Sequence, residues 1–203
     1  MLTLFHAPAS RSSRFVWMLE ELAIPYAIRP VSIFRSMTGE GAADPANPHP
    51  DKRVPALDND GMLLAESQAI ALYLADAFPQ AGLAPAANDC RRGNYLTWMA
   101  WYVAEFEPAL FAGLASELDN SPEKRRGHAA VLNRLRAALM DSDYIMGDMF
   151  SAVDILIGSA LNFGRRAFPE DNLLDAYVAR CRSRPAAVRA FALDDAEGMQ
   201  GPA

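Results

Sequence analysis

Residues 1–33 read MLTLFHAPASRSSRFVWMLEELAIPYAIRPVSI, and their pattern decides the fold class. Residues 1–6 form a short apolar run closed by Ala7-Pro8, the mark of a buried strand. Residues 12–22 set Phe15, Val16, Leu19 and Leu22 at helical spacing, and Pro25 follows the helix end. Residues 26–33 carry Ile28 and Val31 and read as a second strand. A helix between two strands of this length implies a parallel pair.

Working outward, residues 37–52 are rich in Gly, Pro, Asn and Asp and read as an irregular loop. Two short runs, 54–57 and 62–65, flank the turn Asp58-Asn59-Asp60-Gly61 and predict a hairpin. An amphipathic helix is predicted over Ser67–Ala77. The order βαβ, loop, ββα is that of a thioredoxin-like α/β domain over residues 1–77. Residues 78–88, FPQAGLAPAAN, are turn-rich and nearly uncharged and read as a linker. Residues 89–203 are helical in pattern throughout, with helices expected at 89–116, 122–140, 151–163, 173–181 and 185–193. The expected fold class is therefore a thioredoxin-like α/β domain followed by an all-α helical bundle.

Composition narrows the function classes. The chain has 203 residues, 51% of them hydrophobic and 22% charged, which suits globular domains with real cores. Its net charge of −6 argues against a general binder of nucleic acid or anionic membrane. No stretch approaches the roughly 20 apolar residues of a membrane span. Arg11 and Arg14 come too early for a signal peptide. Cys90 and Cys181 form no CxxC and no metal-type spacing, so a reducing cytoplasm is the expected compartment. His6, His49 and His128 are too scattered for a zinc site, and no GxSxG, Walker lysine loop or GxGxxG is present.

Three places carry chemistry. The loop before the first helix reads Ala7-Pro8-Ala9-Ser10-Arg11-Ser12-Ser13-Arg14, at a helix N-terminus with free N–H groups and positive potential. Ser10 and Ser13 stand where a dithiol enzyme would have CxxC, which excludes disulfide cycling but leaves hydroxyl donors for an anion. These serines also read as plain helix caps. Val54-Pro55 opens a short strand; a cis proline there turns the preceding backbone N–H and C=O outward for strand addition by a peptide, while a simple turn proline fits equally. Glu66-Ser67 begins the helix after the hairpin, a carboxylate site beside an ammonium partner, or an N-cap with a favourable acid.

Loop serine, Val-Pro and Glu-Ser in this order, ahead of a helical domain, resemble the cytosolic glutathione transferase family, in its bacterial, serine-type form. FHAPASRSSRFVWMLEELAIPY is similar to the family's first strand and helix, HPDKRVPAL and LLAESQAIALYLAD to its peptide-binding strand and following helix, GDMFSAVDILIG to its buried capping motif, and RPAAVRAF to its closing helix. The resemblance implies that Ser10 hydrogen-bonds the glutathione sulfur, with Ser12 in reserve. It implies that Val54 pairs with the cysteinyl backbone, with Pro55 cis, and that Glu66 and Ser67 hold the γ-glutamyl ammonium and carboxylate. Arg53 would face the glycine carboxylate, with Lys52 able to substitute. Ser151 and Asp154 match the capping motif, a stabilising role.

No tyrosine precedes Tyr26 and the loop holds no cysteine, so the tyrosine-type and cysteine-type classes do not fit. The expected partners are glutathione as co-substrate and a small hydrophobic electrophile, with no metal. Trp98, Tyr102 and Phe106, on the aromatic face of residues 89–116, are the expected wall of the electrophile pocket, though such a stripe also reads as bundle core. The resemblance further implies a homodimer. Conjugation is the expected reaction; glutathione-dependent reduction or isomerisation, or a ligand-binding scaffold, remain alternatives on the same fold.

Overall fold

In the computed structural model, which describes residues 1–115 and 121–200, the first strand is β1, Leu2–His6. It is central, and Leu2, Leu4, Phe5 and His6 are all buried, so its sequence is apolar almost without alternation. β2, Tyr26–Pro30, pairs with it in parallel, and β3, Ala56–Asn59, pairs antiparallel on its other side. β4, Met62–Ala65, pairs antiparallel with β3, and the sheet order is β2-β1-β3-β4. The thioredoxin-like mixed sheet expected from the sequence is present.

β3 starts at Ala56 rather than Val54, and two further strand limits differ from expectation for local reasons. β2 stops at Pro30, which has no N–H to continue a ladder, rather than at Ile33. The hairpin turn is two residues, not four: Asp60 and Gly61 take φ of 51° and 91°, the left-handed pair of a tight hairpin turn, so Asp58 and Asn59 stay in β3.

The helix α1, Ser13–Leu22, buries Phe15, Val16, Trp17, Met18, Leu19 and Leu22. A helix apolar on most sides needs cover on both, and α8, Pro185–Gln200, supplies the second side. The two run antiparallel. Arg184 grips Glu21 with two bonds of 2.6 and 2.9 Å, Arg189 reaches Glu20 at 2.7 Å, and Phe191 lies 6.1 Å from Trp17. The closing helix, expected in the second domain, thus groups with the sheet: one compact unit is residues 1–81 with 184–203, the other 82–183. The missed signal is long-range, since α8 looks like any amphipathic helix until its partner is known. α2, Ser67–Ala77, completes the first unit within its expected bounds.

In the helical unit, α3 is Arg92–Trp101 and α4 is Glu107–Leu114, joined by one wide turn at Tyr102–Phe106 in which Glu107 N–H donates to Tyr102 O. The sequence pattern suggests one helix through 116. Pro108 offers the physical reason for the break, because its ring crowds the carbonyl four residues back and its nitrogen cannot donate. Ser116 lies outside the described residues.

The helix α5, Pro122–Leu139, starts on Ser121, whose Oγ accepts from Lys124 N at 3.2 Å. α6, Ala152–Gly164, is buried nearly all round and carries the expected capping box of Ser151 and Asp154. α7, Asn172–Arg182, is capped by Asp171. Cys90 and Cys181 are both free thiols. Among the described residues, no helix is long and apolar enough to cross a membrane.

Candidate functional site

Register gathers the three chemical stretches at one end of the sheet. Phe5 faces Ala56, and Ala56 faces Ala65. Continuing that register sets His6 and Ala7 level with Pro55 and Val54, and these level with Glu66 and Ser67. The starts of α1 and α2 therefore open beside Val54 and Pro55, which lead into β3. The Val54-Pro55 peptide bond is cis, as expected. The Val54 side chain packs inward with Phe5, Ala7, Val31 and Ala56. Among the described residues its backbone N–H and C=O have no hydrogen-bond partner. An inward side chain with an unpaired backbone donor and acceptor is what an added strand requires.

Ser10 is partly exposed just ahead of α1, and its Oγ accepts from Ser12 N–H at 3.1 Å and lies 2.8 Å from Ser12 Oγ. Ser12, the reserve candidate, is fully buried; its Oγ accepts from Ala7 N–H at 3.1 Å and sits 2.8 Å from His6 Nδ1. Ser10 is therefore the more accessible of the two hydroxyls, and Ser12 stands behind it. Ser13 Oγ donates to Asp194 Oδ1 at 2.6 Å. Arg35 holds the same loop from below, donating to Pro8 O at 2.7 Å and Ala9 O at 3.1 Å.

Glu66 takes φ 68° as the residue before α2, and its side chain is 74% exposed. Among the described residues, neither it nor Ser67 caps the helix with a side-chain bond, so the first N–H groups of α2 have no side-chain cap. Arg53 Nη2 lies 2.6 Å from Asp51 and 3.8 Å from Glu66. Both ion pairs are exposed and hold the guanidinium only weakly. Lys52, by contrast, spends its ammonium on the carbonyls of Asn47, 2.7 Å away, and Pro45, 3.3 Å away. It staples its own loop, which leaves Arg53 as the better placed cation.

Two supporting residues went unread in the sequence. Asn47, fully buried, donates from Nδ2 to Arg53 O at 3.0 Å and accepts His49 N–H on Oδ1, fixing the chain one residue before Val54. His49 is buried and accepts Asp51 N–H on Nδ1 at 3.0 Å, a bond only the neutral ring can accept. Burial lowers its pKa below the ordinary histidine value, Arg53 lowers it further, and Asp51 and Glu66 partly oppose this. The folded chain thus prefers neutral His49, and that share of stability is lost as pH falls below the ordinary value of about 6.5. An NMR titration of His49 should give a midpoint below 6.5 together with loss of exchange protection at Asp51; a midpoint above it would break this account.

The aromatic residues lie in the helical unit. Tyr102 and Phe106 are 1% and 0% exposed and stack 5.7 Å apart, with Phe168 6.1 Å beyond Phe106. Trp98 meets Trp101 edge-on at 5.0 Å, and the Arg134 guanidinium lies 4.4 Å from its ring. Tyr102 donates to Glu107 at 2.5 Å. These rings pack against one another and form the interior of their unit.

Residues 4–82 match the family described as Glutathione S-transferase, N-terminal domain. Glutathione S-transferase 3 of Schizosaccharomyces pombe is 29% identical over 118 residues, covering 58% of this chain and 48% of that protein; the chain matches about half the length of this relative. A glutathione S-transferase of Actinobacillus pleuropneumoniae has the same fold, with a TM-score of 0.82, 24% identity, and coverage of 96% of this chain and 93% of that one. A sphingomonad glutathione S-transferase, solved in complex with glutathione, is 29% identical with a TM-score of 0.74, covering 95% of this chain and 98% of its own. Residues 4–82, which hold the mixed sheet and the cis Val-Pro, thus match a glutathione S-transferase N-terminal domain, and along its length the chain is similar to solved glutathione S-transferases.

Proposed function

We propose that the protein conjugates the glutathione thiolate to a small hydrophobic electrophile, acting as a cytoplasmic homodimer in detoxification. The observation that carries this reading is the unpaired backbone of Val54 between two helix starts, one bearing Ser10 and the other Glu66 and Ser67. A γ-linked tripeptide has a matching set of groups. Its cysteinyl backbone pairs with Val54, its ammonium meets Glu66, and its γ-glutamyl carboxylate meets Ser67 and the free N–H groups of α2. Its glycine carboxylate meets Arg53. That pose leaves the sulfur at Ser10.

A free thiol of pKa about 8.5 is only a few per cent ionised at neutral pH. A hydroxyl and the positive end of α1 favour the anion, and a two-unit shift corresponds to about 2.7 kcal/mol. Ser10 acts by hydrogen bonding and forms no covalent intermediate. For the electrophile, the reading assigns Trp98, Tyr102 and Phe106 of the helical unit as the aromatic residues behind its apolar wall.

Purified protein should turn over chlorodinitrobenzene with glutathione, and Ser10→Ala should raise the bound thiol pKa by about two units and lower kcat roughly 10- to 100-fold. Equal turnover in Ser10→Ala removes Ser10 from the reaction. Retention on immobilised glutathione without turnover of any electrophile or peroxide favours a binding scaffold instead.

A further inference from the structure

His6 ends β1 with its ring fully enclosed, and both of its nitrogens face polar groups. Nδ1 is 2.8 Å from Ser12 Oγ, and Nε2 is 3.0 Å from Asp194 Oδ1 on α8. Ser12 Oγ is in turn 2.8 Å from Ser10 Oγ. Four side chains thus form a continuous line from a carboxylate to the proposed thiol contact. Asp194 is held at its end of the line by Ser13 Oγ at 2.6 Å and Ala9 N–H at 3.0 Å. Burial raises its carboxyl, but bonds from His6, Ser13 and Ala9 outweigh this, and the net shift is downward, toward the anion.

The Ser12 hydroxyl has two acceptors within reach, Ala7 O at 3.3 Å and His6 Nδ1 at 2.8 Å, and the shorter contact gives the line its direction. A proton on Nε2 faces the Asp194 carboxylate 3.0 Å away, within ion-pair reach, and leaves Nδ1 to accept the Ser12 hydroxyl proton. Ser12 Oγ already accepts Ala7 N–H and has one lone pair left for Ser10 O–H. Ser10 Oγ accepts Ser12 N–H, so what it turns outward is a lone pair, not a proton. In this state Ser10 can receive a hydrogen bond from a thiol but cannot donate one to a thiolate. One proton moved along the line reverses every donor.

We propose that Ser12, His6 and Asp194 take up and hold the thiol proton. The proposal rests on the reading of Ser10 as the sulfur contact. The S–H bond breaks and its proton goes to Ser10 Oγ; the former Ser10 proton passes to Ser12 Oγ, and the former Ser12 proton to His6 Nδ1. Three bonds to hydrogen break (S–H and two O–H) and three form (two O–H and one N–H). The neutral thiol and imidazole become a thiolate and an imidazolium, the latter facing the Asp194 carboxylate. Ser10 O–H then points at the sulfur anion. Charged groups near the line include Asp194 from α8, Arg35, which binds the carbonyls of Pro8 and Ala9, and Arg11 and Arg14, which neighbour its serines in the chain. Ser10 touches the substrate; Ser12, His6 and Asp194 act through it.

The test is to titrate glutathione into the protein at neutral pH in weak buffer, recording both the ultraviolet thiolate band and the protons released. The expected result is a thiolate band with well under half a proton released per site. His6→Gln, or Asp194→Asn if that variant does not fold, should raise release toward one proton per thiolate. Release of one proton per thiolate in the unaltered protein overturns the proposal and leaves the reading of Ser10 intact. Unchanged low release in His6→Gln and Asp194→Asn overturns it as well. Absence of any thiolate band overturns the reading of Ser10 and this proposal together.

Discussion

Asp154→Ala is expected to destabilise the helical unit by about 3–5 kcal/mol, with a fall of roughly 10 °C in the melting transition. Asp154 is fully buried and accepts four hydrogen bonds: Ile145 N–H and Ser151 N–H at 2.9 Å, Tyr177 O–H at 3.0 Å and Ser151 O–H at 3.1 Å. Through these it ties the chain before α6 to the start of α6 and to α7. Alanine strands the donors in a site sealed from water, and the cost of unpaired buried groups exceeds the net worth of the bonds themselves.

The pH dependence has the opposite sign to that of an ordinary paired carboxylate. Burial pushes the Asp154 carboxyl up to about 6, against the pull of its donors. Between about 4 and 6 the folded chain therefore holds a proton that the unfolded chain has lost, and stability from this group falls as pH rises through that window. Asp194, Asp171 and Glu20 are lowered by their partners and lose their contribution on acidification instead. Asp154→Asn has no titration of its own, so the stability difference between the unaltered protein and Asp154→Asn should shrink from pH 4 to 6. Urea unfolding across that range measures it, and a difference that is flat or grows with pH refutes the assignment.

The sequence made some of this legible and hid the rest for physical reasons. Ser10, Val54, Glu66 and Ser67 could be named because each stands at an element boundary that leaves a local mark: a serine before an apolar helix, a proline opening a strand, an acid ahead of a helix. The capping pair Ser151 and Asp154 is legible in the same way, being three residues apart. His6 and Asp194 are 188 positions apart, and neither departs from its local pattern. His6 ends an apolar strand, and Asp194 sits on a helix whose partner cannot be read from periodicity. Lys52, the substitute cation to Arg53 in the sequence reading, spends its ammonium on the carbonyls of Asn47 and Pro45, which no local pattern announces. The aromatic stripe fitted both wall and core, and ring stacking with Phe168 shows its part in the core.

Removing the groups proposed to hold the far end of the tripeptide should separate binding from chemistry. For the double variant Glu66→Gln with Ser67→Ala, the KM for glutathione is expected to rise about 30-fold, near 2 kcal/mol, with kcat almost unchanged. A charge-assisted bond is worth about 1.5–3 kcal/mol, but the Glu66 side chain is 74% exposed, and solvent and salt screen its share. The α2 N–H groups also remain after Ser67→Ala and keep part of the carboxylate binding. These contacts lie away from the sulfur and are equally strong in the bound complex and the transition state, so their loss is felt in KM alone. Ser10→Ala should show the reverse split, with kcat and thiol pKa moving and KM nearly still. A glutathione analogue lacking the α-ammonium should bind the unaltered protein and Glu66→Gln with similar affinity, because the partner charge is absent in both cases. If KM stays fixed in the double variant, or if the analogue discriminates between the two proteins as strongly as glutathione does, Glu66 and Ser67 serve only to start α2.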